Sequence, residues 1–284
     1  MMIRFAELVY PGYSIYKRTG LQEGMPIPNQ TAAARIVADM VQDGYYIDFV
    51  ETLVKIDRKG YKGNSYNLTG LNNVVSSVIA EGFSFDKVSG QFYENDKEHV
   101  SPNWGRLLEG DERRMTVLRI DIAGNSVLVK NNPRIKIEKA YRDMRAIITR
   151  AVTSRLGRLW SWEGDGALAV FLFGSIEKMA VYAGMEILHE LFFYNRLHNP
   201  LNSPINVRLG AHMGQVRYSD KETERLKNET IKKAVFLESL ASTNTLSVSY
   251  NIFMNMDQNT LNLFNAEKNK DGLKYRLYAI GTEK

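Results

Sequence analysis

Between Thr31 and Gly82 apolar residues return every three or four positions. Ile36, Val37, Met40 and Val41 follow Thr31, a cap residue, and stop at Gly44. Phe49, Val50, Leu53, Val54 and Ile56 run to Gly60, and Leu71, Val74, Val75, Val78 and Ile79 run to Gly82. This spacing predicts three short amphipathic helices closed by glycine turns, followed by a strand or hairpin over residues 83–93. The first thirty residues, rich in Gly, Pro and Tyr, hold no sustained period. Residues 94–114, with Pro102, Gly105, Gly110 and many charges, read as a linker.

From Met115 the period changes. Strands are predicted at 116–122, 158–162, 167–173, 205–216, 245–248 and 273–280, and helices at 135–156, 176–197 and 222–242. This is an α+β pattern, helices on one face of a mostly antiparallel sheet. The chain is expected to divide into a small, mainly helical domain with its linker, residues 1–112, and an α+β domain, residues 113–284.

Charge follows that division. The formal net charge is +5, yet residues 1–110 hold 11 Lys and Arg against 13 Asp and Glu, which leaves 26 against 19 for residues 111–284. A spread surplus without a basic run suits a polyphosphate ligand as well as a nucleic acid. Nucleic-acid binding would rest on charge alone and is not expected. No apolar run reaches the ~18 residues of a membrane span, and Arg4 and Glu7 interrupt any signal-peptide core. With no cysteine in the chain, disulfides, thiolate metal sites and thiol nucleophiles are excluded. The expectation is a cytoplasmic protein without membrane contact.

Two acidic positions stand out. Asp121 ends a run of strand residues and opens the turn Asp121-Ile122-Ala123-Gly124-Asn125-Ser126, while Asp165 lies between Gly164 and Gly166 at a hairpin tip. They are 44 residues apart with one helix between them, so a strand–helix–strand unit can bring both carboxylates to one sheet edge. Hard divalent cations take such a pair together with phosphate oxygens, and the backbone N–H groups from Gly124 to Ser126 can cradle phosphate where a helix starts. A plain Asp-Gly turn and a helix cap are the alternative readings of the two aspartates. The four histidines offer no zinc spacing, and His212 reads as structural.

Four segments carry a resemblance: TVLRIDIAGNS at 116–126, EGDGALAVF at 163–171, INVRLGAHMGQV at 205–216 and AVFLESLASTNTL at 234–246. In this order and spacing, over about residues 113–282, the chain resembles a class III nucleotide cyclase homology domain. The resemblance implies a ferredoxin-like core that dimerises head to tail, with active sites between two protomers. It implies two metal ions, Mg²⁺ or Mn²⁺, on Asp121, Ile122 and Asp165. It also implies conversion of a nucleoside triphosphate, ATP by default, into a 3′,5′-cyclic nucleotide and pyrophosphate, for intracellular signalling. Gly124, Asn125, Ser126 and Lys270 are then expected at the phosphates.

Three positions depart from the family pattern. Ser161 stands where the family selects the base with Lys or Glu, so GTP and pyrimidine triphosphates stay open. Lys232 and Phe236 fall at the positions of the ribose-orienting Asn and the phosphate-stabilising Arg. In a second register Asn228 and Lys232, four apart and on one helix face, form the catalytic pair. Phe cannot supply charge, so an inactive nucleotide-sensing or scaffolding domain is the alternative function. A homodimer is expected, with a regulatory partner for residues 1–112.

Overall fold

The computed structural model describes residues 2–94 and 101–280. The chain forms two compact units, Met1–Glu98 and His99–Lys284, so the division falls ahead of residue 112. Trp104 supplies the physical reason. Its side chain is fully buried in the second unit, where Nε1 donates to the Leu156 carbonyl at 2.8 Å and the ring meets Phe173 edge-on. Part of the expected linker is therefore core, and residues 95–100 of it lie outside the described residues.

The first unit holds five helices and a hairpin: α1 (Met2–Val9), α2 (Ile15–Thr19), α3 (Asn29–Gln42), α4 (Tyr46–Lys59), α5 (Leu71–Ala80), β1 (Phe83–Asp86) and β2 (Gln91–Glu94). Phe5, Ile15, Ile36, Met40, Phe49 and Ile56 form its core. Phe5 packs edge-on against both Tyr61 and Tyr66, with ring centroids 5.6 Å apart in each pair. The buried Asp39 accepts from Tyr13 Oη at 2.9 Å and pairs with Arg35 at 3.0 Å, so its charge is neutralised inside the bundle.

The second unit runs β3 (Glu112–Ile122), α6 (Asn125–Lys130), α7 (Arg134–Thr153), β4 (Arg158–Glu163), β5 (Gly166–Phe171), α8 (Ile176–Leu197), β6 (Val207–Arg217), α9 (Glu222–Arg225), α10 (Glu229–Leu240), β7 (Thr245–Ser249), α11 (Tyr250–Phe253), α12 (Gln258–Leu261), β8 (Lys268–Lys270) and β9 (Leu273–Ala279). The seven strands stand in the order β4-β5-β3-β6-β7-β9-β8. Among the described residues only the β6–β7 pairing is parallel. Strands β4, β5, β3 and β6 with crossover helices α7 and α8 make the expected ferredoxin-like core. The helix expected over 222–242 is two helices, because Asn228 caps α10 and its Oδ1 accepts from Thr230 N at 2.9 Å.

Alternation along the strands gives the sheet two different faces. Leu118, Ile120 and Ile122 of β3 and Leu209, Ala211 and Met213 of β6 join α7 and α8 in the main core. The intervening residues, Arg119 and Asp121 of β3 and Arg208, Gly210, His212 and Gly214 of β6, point to the other face. Helices were expected on one face only, but α10 crosses this second one. It does so because two glycines let it rest on the β6 backbone: a Cβ at Gly210 would stand 2.2 Å from Glu238 N and 2.3 Å from Ala234 O, and one at Gly214 would stand 2.5 Å from Thr230 Oγ1.

Two consequences are measurable. Gly210→Ala must push α10 off the sheet, with an expected loss of about 2–3 kcal/mol in denaturant unfolding; an unchanged midpoint contradicts this packing. His212 is buried, and burial, helped by the Lys233 charge, pushes its imidazole down to about 4. The native state therefore holds it neutral while the unfolded chain takes up a proton near pH 6.5. Stability is complete above that pH and falls as pH drops from 6.5 towards 4, by on the order of 3 kcal/mol. His212→Gln should flatten the melting temperature across this window.

Candidate active site

Asp121 is the tenth residue of β3, opposite Arg208 of β6 in the ladder. This register brings a guanidinium to the carboxylate: Arg208 Nη2 donates to Asp121 Oδ2 at 2.8 Å. From the other side Glu238, set down beside Gly210 by α10, pairs through Oε1 with Arg208 Nε at 2.9 Å. Burial raises the Glu238 carboxyl pKa; the Arg208 charge opposes that rise and Asp121 adds to it. The hydrogen bond to Asp121 in turn raises Arg208. Asp121 is a strand residue and not a helix cap, since the cap position of α6 belongs to Gly124, at φ +73°. Ile122 buries its side chain in the core and leaves its main chain at the same strand end.

Asp165 lies in the β4–β5 turn after Gly164, whose φ is +61°. Ile120 pairs with Ala167, so the ladder carried one step further sets Asp121 opposite Gly166 and Asp165 at the same edge. Tyr141 of α7 ties this edge together. Its hydroxyl donates to Asn125 Oδ1, and its pKa is raised by burial and by the nearby Asp165 charge. One turn further along α7, Arg145 donates to the Gly164 carbonyl at 3.3 Å and lies over the Trp162 ring at 5.1 Å. Gly124 and Ser126 are exposed at the start of α6.

Other expected site residues stand elsewhere in the chain. Ser161 is half-buried on β4, opposite Leu168 and four residues before Asp165. Asn228 uses its side chain as a cap, and Thr230 beside it touches Gly214, six strand residues or about 20 Å from the level of Asp121. Lys232 is exposed and pairs with Glu229 at 2.7 Å. Lys270 is exposed on β8, the edge strand four spacings or about 19 Å from β3. One chain thus brings Asp121, Ile122, Asp165 and the start of α6 together, and holds Asn228, Lys232 and Lys270 apart from them. Arg208, Glu238, Tyr141 and Arg119 join the site unforeseen; for Arg119 and Arg208 the available signal was charge at alternate positions of two otherwise apolar strands.

The donor set defines which metal the edge can take. Among the described residues no group of three or more His, Cys, Asp or Glu side chains gathers. Two carboxylates and a main-chain carbonyl are hard oxygen donors that fit Mg²⁺ or Mn²⁺ and leave coordination positions for phosphate oxygens.

With this architecture the second unit has the fold of class III adenylate and guanylate cyclase catalytic domains. The monomeric guanylyl cyclase domain of the RhoGC fusion protein from the aquatic fungus Blastocladiella emersonii is similar at TM-score 0.50 and 15% identity, over 61% of this chain and 99% of that one. The adenylyl cyclase CyaB from P. aeruginosa is similar at TM-score 0.52 and 14% identity, over 62% and 98%. The guanylyl cyclase Cya2 gives 0.52 and 16%, over 61% and 96%. At these identities the likeness is one of fold. No protein-family model and no curated protein matches the chain. Among the described residues no helix is long and apolar enough to cross a membrane.

The ion-pair chain predicts a double-mutant result. Arg208→Ala strands the buried Glu238 carboxylate and should cost about 3 kcal/mol, while adding Glu238→Gln should restore at least about half of that. Additive losses in thermal unfolding would contradict the link.

Proposed function

We propose that the protein is a nucleotide cyclase, converting a nucleoside triphosphate into a 3′,5′-cyclic nucleotide and pyrophosphate at a site shared by two copies of the chain. The observation that carries this reading is the register that sets Asp121 and the Asp165 turn at one sheet edge, with oxygen donors and with Arg208 paired to Asp121. When bound there, two Mg²⁺ or Mn²⁺ ions would polarise the α-phosphate, favour ionisation of the ribose 3′-hydroxyl and neutralise the departing pyrophosphate.

The chain's own residues do the positioning. Asp121 and Asp165, with the Ile122 carbonyl, would hold the ions. Arg208, partly exposed beside Asp121, would draw the triphosphate by its charge. Gly124, Asn125 and Ser126 offer N–H groups to phosphate, and the Tyr141 bond to Asn125 fixes that turn. The 3′-oxygen then attacks the α-phosphorus, its proton leaves to water, and the bond to the bridging oxygen breaks.

Distance supports a homodimer as the assembly for this reading. The start of α10 and Lys270 lie about 20 Å from Asp121 in the same chain, so Asn228 and Lys270, and Lys232 with them in this reading, would serve that site from a second copy. Ser161, with a hydroxyl that donates or accepts, faces the base without a charge preference. Residues 1–112 are assigned a regulatory partner, and the cytoplasm is the proposed compartment. A second reading, nucleotide sensing without turnover, draws on Phe236 and on the engagement of Lys232 by Glu229.

Incubation with ATP, GTP, CTP and UTP in the presence of Mn²⁺ separates the two. The cyclase reading expects a cyclic product and pyrophosphate from at least one nucleotide, and about a hundredfold or greater loss with Asp121→Ala or Asp165→Ala. Nucleotide binding with no cyclic product, in a folded dimeric protein, overturns it in favour of sensing.

A further inference from the structure

We infer that Arg119 is a catalytic residue of this site, a guanidinium supplied by the metal-binding chain itself to the phosphate under attack. The inference rests on the cyclase reading above and goes beyond it. Arg119 precedes Asp121 by two residues in β3, so both project to the same face with Cα atoms about 7 Å apart. Its partners across the ladders are Gly210 in β6 and Leu168 in β5. Neither crowds the route to the edge with a polar side chain.

Gly166 reports where the guanidinium goes. A Cβ at Gly166 would stand 2.8 Å from Arg119 Nη2 and 3.2 Å from Cζ. Arg119 therefore reaches from β3 to the residue that follows Asp165, which puts its charge between the two carboxylate-bearing elements. The Arg119 charge is also felt at Glu238, where it opposes the rise caused by burial.

Attack of the 3′-oxygen on the α-phosphorus forms one P–O bond and breaks the P–O bond to the β-phosphate. The leaving pyrophosphate takes the electron pair, the hydroxyl proton passes to water, and no redox partner is needed. Negative charge on the non-bridging and departing oxygens peaks in the transition state. A forked, always-charged guanidinium matches two such oxygens at once, as an ammonium does not. Fixed in a strand, Arg119 needs no help from α10 of a second copy to reach them.

The test uses the full chain, Mn²⁺ and the nucleotide that the wild-type protein cyclises. Arg119→Ala should lower kcat by about a hundredfold or more with KM moved less than about threefold, and added methylguanidinium should restore part of the rate. Arg119→Lys, which keeps the charge and serves if the alanine variant does not fold, should lose about tenfold in kcat. A wild-type protein that turns over while Arg119→Ala, or Arg119→Lys in its place, keeps its kcat within about threefold overturns the role of Arg119 alone. A loss confined to KM also overturns it. Absence of turnover in the wild type removes both the cyclase reading and this one.

Discussion

A helix can lie on the backbone of β6 only because positions 210 and 214 carry no side chain, and the site depends on that contact. Close approach of α10 sets Glu238 within reach of Arg208, and Arg208 is held opposite Asp121 by the β3–β6 register. A carboxylate, a guanidinium and a second carboxylate, each from a different element, are thus fixed by one packing constraint. Sliding β3 by a single residue would turn Asp121 into the apolar core and Ile122 out of it. The eleven-residue ladder and the apolar cluster on the other face guard against that slip.

The two faces of the sheet divide the work of the second unit. Burial against α7 and α8 supplies the stability, at roughly 1.5–3 kcal/mol for each large side chain fully removed from water. That surplus allows the opposite face to keep charged and buried polar groups, among them Arg119, Arg208, His212 and Glu238, each of which would be costly in a weaker framework. The same division explains why the site lies at a sheet edge: carboxylates at strand ends stay partly hydrated and open to ligands, whereas a residue five positions earlier in β3 is fully buried.

Much of this was legible in the sequence. Residues 176–197 form α8 as the spacing predicts, and the six strands expected in the second unit, all but the short polar β8, fall within a few residues of their places apart from an earlier start to β3, because long apolar periods report burial directly. Asp165 was legible as a hairpin tip because glycines flank it. Helices α1 and α2 were not legible: their order comes from tertiary packing, such as Phe5 against Tyr61 and Tyr66, and not from local period. Helix α6 is six residues long, too short for a period to emerge. The break before α10 was written in the cap Asn228, overridden by the apolar pattern around it. Arg119, Arg208 and Glu238 come from three distant stretches, and only strand register and helix placement bring them together; for Arg119 and Arg208 a charged residue inside an apolar strand was the local sign, and Glu238, on a helix, had none.

In the proposed function, the edge formed by Asp121, Ile122 and Asp165 would hold two divalent ions together with a nucleoside triphosphate. The most direct measurement is a crystal structure of the full chain with Mn²⁺ and a 3′-deoxy nucleoside triphosphate, read by anomalous scattering from manganese. The account predicts two manganese peaks at that edge, each sharing Asp121 or Asp165 with phosphate oxygens, with Arg208 turned from Asp121 towards the triphosphate. A bound triphosphate elsewhere, or one at this edge with Arg208 still paired to Asp121 and no manganese on either carboxylate, would contradict it.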